Sequence, residues 1–240
     1  MVGPCDVLAV GAHPDDVDLG CGATVARLAN RGLRVGILDL TAGELGTRGD
    51  VTLRRREAES AGEALRAAWR SCLGLPDGGL RLEADDQLAA VVGMLRTAVP
   101  RAVLLPHPGD PHPDHVSAAG LVVRGVFLAG LARWRAELGS ASRPRLLLTY
   151  PGPRQLFEPV VVVDASAVYE RKRAALAAHA SQFEPSAGPP THLSSGHFLA
   201  AIEGRDRACG NLIGSEFGEG FGAVGPISAE EVAWLLGGTR

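Results

Sequence analysis

Short apolar runs alternate with longer segments of helical period along most of this chain, and this alternation constrains the fold more than any other feature of the sequence. Residues 7–11 and 102–106, for example, are apolar runs of strand length that end in polar loops. Between such runs, apolar residues recur about every three to four positions, as in helices that cover a sheet. The pattern is typical of βαβ units. We therefore expect a Rossmann-like α/β fold, a three-layer sandwich around a mostly parallel central sheet.

Individual elements can be predicted from the same periodicities and from residues that begin or end a helix. The predicted strands are residues 7–11, 35–40, 102–106, 146–150 and 160–163. The predicted helices are residues 23–31, 53–69, 85–98 and 117–138, and one that is capped by Asp164 or Ser166 and reaches His179. Residues 184–197 are rich in Pro, Gly and Ser, which predicts a loop that acts as a lid or a binding loop. We expect a single domain over residues 1–240.

Composition and charge exclude several classes of protein. The chain has 240 residues, 46% of them hydrophobic, so it can bury a full core. Its formal charge of −3 does not provide the basic surface that binds nucleic acid or anionic membranes. The four cysteines are scattered, without a CxxC pair, which indicates reduced thiols.

The N-terminal segment has no basic start of a signal peptide, and no apolar run approaches the ~18 residues of a membrane span. We expect a cytoplasmic protein whose partner is a small molecule.

Two loops rich in histidine and aspartate follow predicted strands. The sequence HPDD stands at residues 13–16, after the first strand, and HPDH stands at residues 112–115, after the strand at 102–106. In an open parallel sheet, ligands bind beyond the carboxyl ends of the strands, so the two loops can share one site. A catalytic zinc takes three protein ligands of N or O type and keeps one position open for water. We predict that such a metal is held by His13, Asp16 and His115.

The two adjacent carboxylates of HPDD can have separate tasks. Because the chain turns at the proline, Asp16 can face the metal while Asp15 faces the water beside it. The alternative is turn chemistry, in which one aspartate caps the next helix and His13 only packs in a loop. The second loop favours the metal site, because three of the seven histidines of the chain lie within residues 107–115.

Three other functions are less consistent with the sequence. A dinucleotide site needs GxGxxG after the first strand, but this chain has GAHPDD there, with carboxylates where a pyrophosphate would sit. A non-haem iron oxygenase uses a similar triad of two histidines and one carboxylate, but we expect such triads on all-β folds. A non-enzymatic metal-binding module would have a closed site of four ligands, commonly with cysteine. No cysteine lies at ligand spacing from these loops.

Several motifs together resemble one enzyme family. AHPDDVDLGCGAT, DLTAGELGTRG, LRRREAE and HPDH are similar to the motifs of the LmbE-like (PIG-L) zinc N-deacetylases, which remove acetyl from N-acetylglucosamine conjugates. The phrases LPDGGL at 75–80, SQFE at 181–184 and EGFG at 219–222 resemble the branch that deacetylates N-acetylglucosaminyl malate on the route to bacillithiol. The resemblance implies that reaction for this chain. A deacetylase of another N-acetylglucosamine conjugate, or a thiol-conjugate amidase, is the alternative.

The resemblance also implies the metal and the base. His13, Asp16 and His115 match the family's zinc ligands, with Fe²⁺ as a substitute metal. Asp15 matches its general base. The family resemblance further implies a homo-oligomer.

Further residues are implied around the reacting group. His112 matches the histidine that stabilises the oxyanion, and Asp114 matches its orienting partner, whose charge should keep His112 protonated. Arg54 resembles the arginine that binds the acidic aglycone or the sugar hydroxyls. Two positions depart from the bacillithiol branch: Pro111 stands where that branch often has arginine, and His197 lies where a tyrosine would be expected. Both departures concern substrate preference and leave the reaction unchanged.

Overall fold

The computed structural model describes residues 1–237 and confirms the alternation of strands and helices. Within that range, the strands are β1 (Val7–Gly11), β2 (Val35–Thr41), β3 (Trp69–Leu75), β4 (Ala102–Pro106), β5 (Leu146–Tyr150), β6 (Val161–Asp164) and β7 (Gly218–Ala223). The α-helices are α1 (Asp16–Asn30), α2 (Val51–Leu65), α3 (Asp85–Ala98), α4 (Pro113–Ala129), α5 (Tyr169–Ala178), α6 (Ala180–Phe183), α7 (Phe198–Asn211) and α8 (Ala229–Leu236).

The strands of residues 1–237 form one sheet in the order β3-β2-β1-β4-β5-β7-β6. The first five strands of this order are parallel to one another, whereas β7 runs antiparallel to β5 and β6. Every residue of β1 and of β4 is buried, as expected for parallel strands that are covered on both faces. The predicted sheet, mostly parallel, is therefore confirmed.

Helices cover both faces of the sheet. The helices α1, α2 and α5 pack together on one face, and α3 packs against α4 on the other. Each face has its own apolar core, and the neighbouring residues Ile37 and Leu38 of β2 contribute to opposite cores because side chains alternate along a strand. The predicted three-layer sandwich is confirmed.

Two predicted helices end earlier than expected. The helix α2 ends at Leu65 rather than at residue 69, because Arg66 takes a left-handed conformation with φ of 59°. Trp69 instead begins β3, an edge strand that the sequence did not predict because it lacks a continuous apolar run. The helix α4 ends at Ala129 rather than at residue 138, and a 3-10 turn at Ala136–Leu138 follows it after a gap.

Other differences lie at the start of α1 and after residue 197. The helix α1 begins at Asp16 rather than at residue 23, and its backbone is not helical at Cys21. The elements α7, β7 and α8 were not predicted. The strand β7 has the sequence GEGFGA, and a glycine-rich segment lacks the β-branched residues that are typical of strands. The predicted loop at 184–197 is confirmed, with one 3-10 turn at Pro185–Ala187.

Three expectations about the whole chain stay predictions. Among the helices of residues 1–237, none combines the length and the apolar character that crossing a membrane requires. The cytoplasmic location and the homo-oligomer stay predictions. So does the single domain over residues 1–240, whose last three residues lie outside the described range.

Candidate active site

The two predicted loops meet at the carboxyl end of the sheet. The strands β1 and β4 are parallel neighbours, so the residues that follow them leave the sheet side by side. Residues 13–16, which we call the HPDD loop, lead into α1, and residues 110–115 lead into α4. The structure therefore brings the predicted residues of both loops to one edge of the sheet.

Asp16 connects the two loops. Its Oδ1 lies 3.1 Å from Nε2 of His115, and its Oδ2 lies 3.3 Å from Nδ1 of His13. The same Oδ2 accepts a hydrogen bond of 2.8 Å from the backbone N–H of His13, which closes the turn of the HPDD loop. The structure thus brings the three predicted metal ligands together.

The nitrogen of each histidine that points away from Asp16 meets another carboxylate. Nε2 of His13 lies 3.1 Å from Oδ1 of Asp77, and Nδ1 of His115 lies 3.1 Å from Oδ2 of Asp110. Such a carboxylate behind a metal-bound imidazole fixes its tautomer and the orientation of its ring. Two imidazoles and one carboxylate are also a donor set that binds divalent metals. The residues therefore fit a metal ion.

His112 brings a third imidazole to the same place. The candidate ligand atoms of His13, His112 and His115 lie within 4.8 Å of one another. Asp16 contacts two of these rings directly, whereas His112 has a separate backbone contact described below. We therefore assign the ligand set to His13, Asp16 and His115 as a proposal, with His112 beside it.

The carboxylates also set the charge of His13 and His115, the two proposed ligand histidines, when no metal competes with them. Burial opposes a charge on His13, but Asp16 and the other carboxylates around the ring outweigh burial and raise the pKa of His13 to about 12. For His115, burial is likewise outweighed by Asp16 and Asp110, which raise the pKa of His115 to about 10. A metal that binds here must displace a proton from each ring.

Asp15 lies beside these ligands with its carboxylate uncommitted to helix capping. It occupies the N-cap position of α1 without a capping hydrogen bond from its side chain. The Nη2 of Arg54 lies 3.7 Å from Oδ1 of Asp15, and Nη1 of Arg54 donates a hydrogen bond of 2.7 Å to the carbonyl of Gly43. Gly43 has φ of 66°, and a Cβ at this position would overlap the guanidinium. The glycine-rich loop therefore provides the space in which Arg54 lies against Asp15.

His112 is the N-cap residue of α4. Its Nδ1 accepts a hydrogen bond of 3.2 Å from the backbone N–H of Asp114, which assigns the proton of the neutral ring to Nε2. Burial, together with the positive charges of His115 and His13, lowers the pKa of His112 and outweighs the opposite influence of Asp114. These influences oppose the expected protonation of His112, which stays a prediction. In its neutral form the ring carries its proton on Nε2 and can offer this N–H as a donor.

The carboxylate of Asp114 points toward the first loop. Its Oδ2 accepts a hydrogen bond of 2.7 Å from the backbone N–H of Gly78 and lies 3.5 Å from Nε2 of His13. Asp114 contacts His112 through its own backbone N–H, which donates to Nδ1 of His112. Asp114 therefore orients His112 through its backbone and His13 through its side chain.

Two carboxylates of the site were not among the sequence predictions. Asp77 follows β3 and also accepts a hydrogen bond of 2.9 Å from the backbone N–H of Leu45. Asp110 follows β4 and accepts a hydrogen bond of 2.7 Å from the backbone N–H of His112. Both residues stand just beyond the carboxyl end of a strand. This signal was available for Asp110, which follows the predicted strand at 102–106, but not for Asp77, because β3 was not predicted.

A cavity of about 580 Å³ opens above the two loops. Thr191 and Leu193, which belong to the predicted loop at 184–197, line one wall, so this loop takes part in the site. Pro111 also lines the cavity. His197 is exposed and is not among the residues that line it. Of the two departures from the branch pattern, the one at Pro111 therefore faces the site.

Three arginines line this cavity, and they differ in their partners. Arg48 is buried and donates hydrogen bonds to the carbonyls of Gln182 and Glu184. Arg54 is buried against Asp15, and its predicted role in binding the aglycone or the sugar hydroxyls stays a prediction. Arg154 is exposed on the loop after β5 and forms no ion pair with a carboxylate of residues 1–237. Of the three, Arg154 is therefore the one that can contact an anionic ligand without losing a hydrogen bond or an ion pair to residues 1–237.

Fold and site together define a three-layer α/β enzyme with a histidine–carboxylate centre at the carboxyl edge of its sheet. Residues 8–126 match the family model described as PIG-L, GlcNAc-PI de-N-acetylase. The chain is 34% identical over 188 residues to the diacetylchitobiose deacetylase of Thermococcus kodakarensis, a match that spans 74% of this chain and 70% of the relative. The chain therefore belongs to the PIG-L (LmbE-like) family, as its motifs indicated, and it is a deacetylase, an enzyme that hydrolyses an amide.

Other similarities are consistent with this family. The chain is 34% identical over 116 residues to the uncharacterized deacetylase YaiS of Escherichia coli, a match that spans 46% of this chain and 62% of YaiS. It is 29% identical over 193 residues to a probable N-acetyl-α-D-glucosaminyl L-malate deacetylase 2 of Bacillus cereus, which spans 74% of this chain and 84% of that protein. The crystal structure of the conserved protein TT1542 from Thermus thermophilus has a TM-score of 0.84 at 37% identity, over 93% of this chain and 96% of that one.

Proposed function

We propose that this chain is a zinc-dependent N-deacetylase of N-acetylglucosamine conjugates and that its substrate is N-acetylglucosaminyl malate. The observation that carries the proposal is the contact of Asp16 with both His13 and His115, each of which has another carboxylate behind it. The two imidazoles and the carboxylate of Asp16 all line the same cavity.

Zinc suits this donor set because it accepts three protein ligands of N or O type and leaves a position open in catalytic sites. His13, Asp16 and His115 would hold it, and Fe²⁺ is the substitute metal. When bound, the metal would lower the pKa of a water from ~15.7 to about 7 and polarise the acetyl carbonyl.

Asp15 is the proposed general base. Its carboxylate is free of capping bonds, lines the cavity and lies beside the ligands, so it can accept a proton from the attacking water. Arg54 at 3.7 Å holds this carboxylate in place. The protonated Asp15 can then pass its proton to the departing amine, which completes the formation of acetate and a free glucosamine amine.

His112 is the proposed donor to the carbonyl oxygen on which negative charge develops. Because Nδ1 is occupied by the backbone N–H of Asp114, the Nε2–H is left for this oxygen. A neutral, oriented donor is effective here, since it requires no reorganisation during the reaction, and removal of such a donor typically costs about 3 kcal/mol of barrier.

The malate substrate is supported by Arg154 in the cavity lining and by the malate deacetylase relative. Malate carries two carboxylates, and the exposed guanidinium of Arg154 has no ion-pair partner within residues 1–237. Another N-acetylglucosamine conjugate, or a thiol conjugate cleaved at its amide, would use the same centre with a different aglycone. The proposal that the centre cleaves an N-acetyl amide and the proposal that the aglycone is malate are therefore independent of each other.

A comparison of substrates tests both parts. The zinc-loaded protein is given N-acetylglucosaminyl malate, free N-acetylglucosamine and an N-acetylglucosaminyl inositol side by side, and release of primary amine and of acetate is measured. We expect the malate conjugate to have the highest kcat/KM. Faster reaction of the inositol conjugate would remove the malate assignment, and no acetate from any of the three would contradict the deacetylase proposal for these conjugates.

A further inference from the structure

A buried guanidinium lies directly beneath the HPDD loop. Arg70 of β3 is almost fully buried, and its Nε donates a hydrogen bond of 2.8 Å to Oδ2 of Asp39. Its Nη1 lies 2.9 Å from Oδ2 of Asp18. Its Nη2 donates to Oδ1 of Asp39 at 3.0 Å and also to the carbonyl oxygen of Pro14. One side chain of β3 thus connects β2, α1 and the loop that leads into α1.

The two carboxylates hold Arg70 from different elements. Asp39 lies on β2, the strand next to β3, and Asp18 lies in the first turn of α1. Asp18 has a second partner, because Nε2 of His179 lies 3.0 Å from its Oδ2. Asp39 and Asp18 therefore fix the guanidinium from two sides, and in this position it donates to the carbonyl of Pro14.

We infer that Arg70 is a positioning residue for the HPDD loop. Pro14 stands between His13 and Asp15, so the orientation of its peptide group determines where the proposed ligand and the proposed base point. A misplacement of about 1 Å can cost on the order of 10²-fold in rate. This inference rests on the proposed function for what the loop does, but the contact itself does not depend on a metal.

The geometry requires arginine in particular. A planar guanidinium presents its donors as a rigid fork and can contact two carboxylates and a carbonyl at the same time, whereas the ammonium of lysine is a single point charge. Arg70→Lys therefore keeps the buried positive charge but loses the simultaneous contact with Asp39 and Pro14. Asp39→Asn is a second, milder variant, because it keeps the shape of the partner and removes its charge.

A matched control is present in the opposite helical layer. Arg96 of α3 is also buried, and it donates to the carbonyls of Ala129, Leu131 and Arg135. It contacts neither the HPDD loop nor the cavity. Arg96→Lys should lower the melting temperature through the same loss of donors while leaving the site unchanged.

The test compares these variants in three measurements. Amide hydrogen exchange of residues 11–19 is measured without metal, zinc affinity is measured by titration with a competing chelator, and kcat and KM are measured separately. For Arg70→Lys we expect exchange in this segment to be at least about fivefold faster, zinc affinity and kcat to fall about tenfold, and KM to stay unchanged. Asp39→Asn should show smaller changes in the same direction, and Arg96→Lys should show none of them.

Two results separate a positioning role from a purely stabilising one. If Arg70→Lys and Asp39→Asn lower the melting temperature but leave exchange of residues 11–19, zinc affinity and kcat within about twofold of the wild type, the inference is overturned. Faster exchange of residues 11–19 in a protein that binds no zinc even as wild type would support the positioning role and contradict the proposed function instead.

Discussion

Oδ1 of Asp16 lies 3.1 Å from Nε2 of His115, although the two residues are 99 positions apart in the sequence. The contact exists because β1 and β4 are parallel neighbours whose following loops leave the same edge of the sheet. It converts two short motifs into one centre that presents nitrogen and oxygen donors to the cavity.

One substitution can distinguish the role of a general base from the role of a metal ligand. Asp15→Asn should lower kcat by about 10²- to 10⁴-fold, because the amide cannot accept a proton from water. Zinc content should stay at the wild-type level, since Asp15 is not in the proposed ligand set. Metal analysis and initial rates on the same preparation check both statements. A rate within about tenfold of the wild type would remove Asp15 from the role of base.

Zinc binding should release protons near neutral pH. Without metal, the pKa of His13 is raised to about 12 and that of His115 to about 10, so both rings are protonated at about pH 7 and must lose a proton to bind zinc. We expect zinc affinity to rise with pH between about pH 7 and about pH 8, by close to two protons per ion. Histidines with the ordinary pKa of about 6.5 would show little dependence there. Calorimetry in buffers of different ionisation enthalpy measures this number, and a value near zero would contradict the charge state derived for the two rings.

Recognition of an acidic aglycone can be tested at Arg154. Arg154→Gln should raise KM for N-acetylglucosaminyl malate about fivefold, which corresponds to roughly 1 kcal/mol for an exposed charge contact. The kcat should not change, and KM for free N-acetylglucosamine should stay the same because this sugar has no carboxylate. Arg133→Gln, an exposed arginine that does not line the cavity, is the control. Equal KM increases for both sugars would contradict a role for Arg154 in binding the aglycone.

A second buried cluster should determine stability rather than activity. Nζ of Lys172 lies 2.6 Å from Oε1 of Glu219 and 2.7 Å from Oδ2 of Asp206, and all three side chains are buried. Lys172→Met leaves both carboxylates without this charge and should lower the free energy of unfolding by about 3–5 kcal/mol. Arg173→Met on the same helix breaks pairs that are partly exposed and should cost only about 0–1 kcal/mol. Urea unfolding of both variants compares them, and equal losses would contradict the difference in burial.

The sequence predicted those parts of the molecule that depend on local patterns. The strand before each loop is a continuous apolar run, and the motifs at 13–16 and 112–115 follow these runs directly. Because strand order in a parallel sheet brings loop ends together, three proposed ligands from two distant motifs could be placed in one site from the sequence. The fold class follows from the same alternation.

The parts that could not be predicted depend on contacts between distant elements. Asp77 and Arg70 belong to β3 or the loop after it, and this strand has no apolar run because it lies at the edge of the sheet. The lowered pKa of His112 could not be predicted, because it depends on burial and on the charges of His115 and His13, whose positions only the fold determines. Such residues have no signal in the spacing of the motifs.

We propose that this deacetylase works through a metal held by His13, Asp16 and His115, and removal of the metal tests this proposal. Acetate release from N-acetylglucosaminyl malate is measured on protein treated with a chelator, before and after one equivalent of zinc, for the wild type, for His115→Ala and for the exposed-histidine control His192→Ala. We predict that chelation abolishes activity, that zinc restores it in the wild type and in His192→Ala, and that His115→Ala neither retains zinc nor recovers. Full activity after chelation, or full zinc occupancy in His115→Ala, would contradict the claim.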